Sequence, residues 1–178
     1  MFDGNILVPS QPTPPMLSTF AVENYRSLLD FKLPLQGLNI ISGANGSGKS
    51  NCYRALQLLA KTATGGVISA LANEGGLAST LWAGPEQLSR AMRKGDAPIQ
   101  GGPRKNVVRL KLGFGSENFG YSINLGLPTP SRSAFQLDPE IKHEAIWHGP
   151  CYRQSNALLI RQGLSLIHIS EPTRQHWI

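Results

Sequence analysis

The chain reads as an α/β domain with a mixed sheet, an antiparallel hairpin and helices, and three observations predict it. A glycine-rich stretch, Gly43-Ala-Asn-Gly-Ser-Gly-Lys-Ser50, joins a short apolar run to a segment with helical spacing. Two alternating runs, Ser18 to Asn24 and Asp30 to Leu35, precede it. Two more, Asn106 to Gly113 and Phe119 to Leu125, face each other across a glycine-containing joint. Strand, glycine loop and helix in succession call for a strand at the loop's entrance. Paired alternating runs call for antiparallel neighbours. Together they predict a sheet of both kinds.

The elements follow in order. Residues 1 to 16 are rich in Pro, Ser and Gln and read as a flexible leader. Ser18 to Asn24 places Phe20 and Val22 on one face of a strand. Asp30 to Leu35 does so through Phe31, Leu33 and Leu35. Leu38 to Ser42 is the expected strand before the loop. Asn51 to Lys61 is the expected helix, with Cys52, Ala55, Leu56 and Leu59 as an i, i+3, i+4, i+7 stripe. Gly65-Gly66 ends it. Val67 to Asn73 reads as a short helix stopped by Gly75-Gly76, and Pro85 to Lys94 as a further helical stretch. In the hairpin, Val108, Leu110 and Leu112 share one face, as do Phe119, Tyr121, Ile123 and Leu125. Pro128 to Ser133 reads as a loop. Ile141 to Ile146 and Ala157 to Arg161 are further candidate strands.

Composition narrows the class. The chain has 178 residues, 40% of them hydrophobic and 16% charged, which suits one soluble globular domain or part of a larger one. No apolar run is long enough to span a bilayer, and no secretory signal is apparent at the N-terminus. Two cysteines, Cys52 and Cys151, form no disulfide framework, which favours a reducing, cytoplasmic setting. Cys52 reads as a small core residue. The net charge is +6. The basic residues are scattered apart from Arg90-Ala-Met-Arg-Lys94 with Arg104-Lys105, a local cluster and a possible DNA contact.

The chemistry concentrates at Gly43–Ser50. The spacing G-x-x-x-x-G-K-S is that of a triphosphate-binding loop. Glycines let successive N–H groups converge on phosphate oxygens, and the helix behind adds its free N–H groups and positive end. Lys49 is a mobile charge for the outer phosphates. Ser50 places a hydroxyl for a magnesium ion that keeps most of its waters. A dinucleotide-binding fingerprint fails, because Gly46-x-Gly48 is followed by Asn51 where that pattern needs a glycine. A guanine-specific Asn-Lys-x-Asp motif is absent from the sequence.

The flanking residues carry a resemblance. Val22-Glu-Asn-Tyr-Arg-Ser27, then Asp30-Phe31, then Leu38 to Asn51 resemble the opening of ABC-type ATPases of the SMC, RecF and OLD group, over roughly residues 18 to 62. Asn45, Gly46 and the trailing Asn51 go beyond the general loop. Leu81-Trp-Ala-Gly84 and Phe135 to Ile141 look like the predicted-ATPase members of that group. The resemblance implies ATP and Mg2+ as cofactors. It implies that Gly43, Ala44, Asn45, Gly46, Ser47, Gly48 and Lys49 cradle the phosphates, Ser50 holds the metal, and Asn51 opens the helix. Arg26 corresponds to the family arginine near the nucleotide, where a guanidinium bridges phosphate oxygens as a fork. A glutamine of such heads joins the magnesium shell; Gln136 is a candidate by position, and Gln162 a weaker one. Head-to-head pairing of two copies follows for the full-length protein.

No run of four apolar residues followed by Asp or Glu comes after the loop, and no Leu-Ser-Gly-Gly-like signature occurs. Hydrolysis in the family needs such a carboxylate and a neighbouring Glu. The expectation is therefore an N-terminal lobe, residues 17 to 163, without catalytic residues of its own. Residues 164 to 178 are expected to be a non-native or disordered tail, because Ser165 to Arg174 resembles a translated sequencing adapter. Two other readings stand beside this one. The first is a nucleic-acid-binding module gated by nucleotide, with Arg90 to Lys105 as its contact surface. The second is a truncated fragment without function.

Overall fold

The computed structural model describes residues 16–102, 104–129 and 136–169. Most of the expected leader, part of the loop after Pro128, and the tail beyond Ile169 lie outside these residues. The described strands form one seven-stranded sheet, and every pairing in it is antiparallel. They are β1 (Leu17–Tyr25), β2 (Leu28–Pro34), β3 (Leu110–Ser116), β4 (Phe119–Gly126), β5 (Glu140–His148), β6 (Ala157–Gln162) and β7 (Ser165–Ile169), with spatial order β2-β1-β3-β4-β5-β6-β7. Helices α1 (Lys49–Thr62), α2 (Val67–Asn73), α3 (Leu77–Thr80) and α4 (Arg90–Lys94) fall between β2 and β3.

Alternation explains the layers. Phe20 and Val22 of β1, Leu110 and Leu112 of β3, and Ile123 and Leu125 of β4 are buried on one sheet face. They form one core with Cys52, Ala55, Leu58 and Leu59 of α1, and Val67 and Leu71 of α2. The expected helical stripe is one residue off: Leu58 is buried, while Leu56 is partly exposed and lines an apolar cavity of about 650 Å³ between α1 and β3–β5. On the opposite face Ala21, Gly113, Ser122 and Ala145 stand in register across β1, β3, β4 and β5. The glycines there are steric. A Cβ on Gly120 would lie 2.2 Å from the Trp147 indole, and one on Gly115 would lie 2.9 Å from the Pro150 carbonyl oxygen.

Three expectations need correction. Leu38–Ser42 is not a strand: it has no ladder partner among the described residues, and Leu38 and Ile40 are 82% and 83% exposed. A strand exists only when a neighbour takes its N–H and C=O groups, so the observed sheet is antiparallel throughout and not mixed. β3 begins at Leu110, not Asn106, and runs through Gly113 and Gly115 to a tight turn at Glu117-Asn118. The glycines that read as a joint sit inside the strand because side chains and carbonyls crowd them. Upstream, the Glu86 carboxylate accepts the N–H groups of Lys105 and Asn106 at 2.7 Å each, which holds that segment outside the ladder. Of Pro85–Lys94 only Arg90–Lys94 is helical, capped by Ser89, whose hydroxyl accepts the Met92 N–H at 3.2 Å. Beyond residue 164, Ser165–Ile169 pairs with β6 as β7.

Candidate functional site

The path of the chain sets the site. β2 runs from Leu28, opposite Tyr25, to Pro34, opposite Thr19. Residues 35–48 return to the Tyr25 end of the sheet, where Gly48 meets the β1–β2 turn. From there α1 crosses back over the core face, and its last turns reach Phe114, Tyr121 and Ile146. The loop therefore stands at one end of the sheet, at the N-terminus of the longest described helix.

Within the loop, Gly46 has φ 81° and Gly48 φ 95°, values that favour glycine. Gly48 is the N-cap of α1, and no side chain caps the helix. Its carbonyl accepts the N–H groups of Asn51 at 2.9 Å and Cys52 at 3.1 Å. No acidic residue lies in the first turn to offset the positive helix end. Residues 43–47 and Ser50 are exposed. Lys49 Nζ folds over the loop and donates to the carbonyls of Gly43 and Ala44 at 2.6 and 2.7 Å. The arrangement joins uncompensated donors, a mobile cation and an accessible hydroxyl in one short segment, which suits an anion of several oxygens.

The β1–β2 turn braces the loop. Asn51 Nδ2 donates to Ser27 Oγ at 2.8 Å. A Cβ on Gly48 would lie 2.6 Å from that same oxygen. Asn24 and Arg26 hold left-handed φ values of 61° and 48°, and for residues other than glycine such strain persists only where surroundings enforce it. Here the Arg26 N–H donates to the Thr80 carbonyl at 2.7 Å and the Trp82 N–H to that of Asn24 at 3.0 Å. Tyr25 is fully buried. Its phenol donates to Glu74 Oε2 at 2.8 Å, and Arg26 Nε and Nη2 reach the same oxygen at 3.1 and 2.7 Å. Burial is the main cause that raises the Tyr25 pKa, with the Glu74 carboxylate adding to it against the Arg26 hydrogen bond. The hydrogen bond to Glu74 raises that of Arg26.

Arg26 is thus one residue from the contact with the loop, and its side chain is committed to Glu74. Ser27, Tyr25 and Glu74 were not singled out from sequence. The first two lay inside the Asn24–Ser27 stretch; Glu74, between a helix and a glycine pair, gave no signal. Gln136 lies in the turn before β5, at the same end of the sheet as the loop. β5 is three strand steps from β1, about 14 Å at ordinary strand spacing. Gln162 ends β6, opposite Ser165. Cys52 is buried, and burial raises its thiol pKa. The basic cluster is divided: Arg90, Arg93, Lys94 and Lys105 are exposed, whereas Arg104 Nη2 donates to the carbonyls of Trp82 and Gly84. Among the described residues no group of three His, Cys, Asp or Glu side chains is placed to hold a metal ion, and no helix is long and apolar enough to cross a membrane.

Residues 16–98 match the AAA ATPase domain. The match begins at β1 and extends past α4, so it takes in the glycine loop, the helix behind it, the Arg26 turn and Glu74. Strands β3 to β7 lie beyond it. This similarity, over just under half of the chain and including the loop, supports nucleotide binding of the P-loop ATPase kind. No curated protein matches the chain.

Proposed function

We propose that this chain binds ATP with Mg2+ through Gly43–Ser50, as the nucleotide-binding lobe of an ABC-type ATPase related to the SMC, RecF and OLD proteins. The carrying observation is the uncapped, glycine-started N-terminus of α1 with Lys49 folded over the loop. Backbone N–H groups from Gly43 to Lys49 would receive the phosphates. Lys49 would exchange its two carbonyl acceptors for phosphate oxygens, a stronger charge-assisted contact. Ser50 would ligate the magnesium ion, which when bound neutralises the phosphates and draws them toward the loop. Asn51 keeps the helix end against Ser27. Arg26 would offer a guanidinium from the neighbouring turn.

Hydrolysis, in this reading, belongs to the full-length ATPase. It draws on carboxylates that this sequence does not carry and on a second head facing the first. The chain alone should bind nucleotide without turning it over. Calorimetric titration with MgATP tests this. Lys49→Ala should weaken binding at least about tenfold, the worth of one charged hydrogen bond, with the melting temperature unchanged. ATP binding or hydrolysis that survives Lys49→Ala at full strength would refute the reading.

A further inference from the structure

Arg26 and Glu74 come from separate parts of the chain, and their contact has a direction. Glu74 caps the C-terminus of α2. Its Oε2 takes both Nε and Nη2 of Arg26, a side-on approach along one edge of the guanidinium. The Tyr25 phenol, donating to the same carboxylate, fixes it from the buried side. The two charged side chains are 26% and 23% exposed. A guanidinium carries five N–H donors in a rigid fork. Side-on pairing occupies the Nε edge and leaves Nη1 outside the pair. The backbone at Arg26 is held in the left-handed region, and the next residue, Ser27, touches the start of α1. The pair with Glu74 thereby holds a flexible arginine in one orientation, one residue from the contact with the loop.

We propose that Glu74 is a positioning residue for nucleotide recognition. It holds Arg26 so that the remaining donors of the guanidinium face the terminal phosphate of a nucleoside triphosphate at Gly43–Ser50. This rests on the loop binding nucleotide as proposed above. A preset fork loses less rotamer freedom on binding, and its contribution falls on the phosphate that distinguishes ATP from ADP.

Dissociation constants for MgATP and MgADP on the full chain test it, with Arg26→Ala, Glu74→Gln, the double variant and Lys49→Ala, each with its melting temperature. Arg26→Ala should weaken ATP binding about tenfold and leave ADP nearly unchanged. Glu74→Gln should lower the ATP-over-ADP preference by about threefold to fivefold. In the Arg26→Ala background it should add nothing, because its effect passes through the arginine. Glu74→Asp, which keeps the charge and shortens the reach, should lose the preference as well, and it serves if the glutamine variant does not fold. A lower melting temperature with an unchanged ATP-over-ADP ratio makes Glu74 a structural brace and overturns the proposal. So does a Glu74→Gln effect that persists without Arg26. If Lys49→Ala abolishes binding while the Glu74 variants leave it alone, only this inference fails. If the unmodified chain binds neither nucleotide, the loop reading fails with it.

Discussion

Gly48 answers two demands at one position. Its φ of 95° lies where a Cβ meets the following carbonyl oxygen, and a Cβ there would also lie 2.6 Å from Ser27 Oγ. The hydroxyl is the end of a short side chain, so it can rotate away, but it then gives up the 2.8 Å bond from Asn51. Gly48→Ala should therefore destabilise the chain by about 1–3 kcal/mol, the backbone strain plus one lost hydrogen bond. Ser27→Gly in the same chain should recover the steric part and not the backbone part. Urea unfolding of the single and double variants measures both. A Gly48→Ala chain as stable as the parent would mean that the turn and the loop are not in contact.

At the scale of elements, what the sequence made legible depended on how local the signal was. β1, β2 and β4 were readable because each alternates toward one face of the sheet, whereas β6 buries Ala157 and Ile160 at an irregular spacing. α2 was readable because a glycine pair bounds it on each side. The glycine loop was legible as a pattern because its residues are consecutive. Leu38–Ser42 failed for the opposite reason: its apolar composition is that of a strand, but a strand needs a partner. The glycines of β3 misled because their purpose, clearance of Gly113 from the Tyr121 carbonyl and of Gly115 from the Pro150 carbonyl, is set by residues elsewhere in the chain. Glu74 was invisible because its partners lie 48 and 49 residues upstream. The unpaired segment has a consequence. Leu38 and Ile40 project into solvent beside open backbone groups, a template for edge pairing between molecules. Replacing both with Asn should leave stability within about 0.5 kcal/mol, as for other exposed positions, and should slow aggregation as followed by light scattering. A large loss of stability would show that the segment is packed in solution.

For the whole molecule, two tyrosines, one joining sheet to helix and one joining strand to strand, make stability depend on alkaline pH. Tyr25 joins β1 to the end of α2 through Glu74. Tyr121 joins β4 to β5 through Glu144 at 2.8 Å, beneath the last turns of α1, with Arg161 3.7 Å from the same carboxylate. Burial first, and the carboxylate hydrogen bond next, raises the Tyr121 pKa far above the ordinary phenol value of 10.0. Burial raises that of Tyr25 from the same value. In the unfolded chain both phenols lose their protons near pH 10, while in the folded chain they keep them. The folded state then binds more protons, so stability is fully present below pH 10 and falls as pH rises through the window up to the folded pKa values. Each phenol held neutral this way steepens the fall by up to about 1.4 kcal/mol per pH unit. Tyr121→Phe removes the larger share, because phenylalanine keeps the ring against Phe114 and has no proton to lose. Its stability should fall less steeply above pH 10 than that of the parent, although it starts lower at neutral pH by about 1 kcal/mol for the lost hydrogen bond. Urea unfolding at intervals from pH 8 to pH 11 measures the two slopes. Parallel slopes would show that Tyr121 titrates in the folded chain as it does in water, and that the contact with Glu144 does not persist in solution.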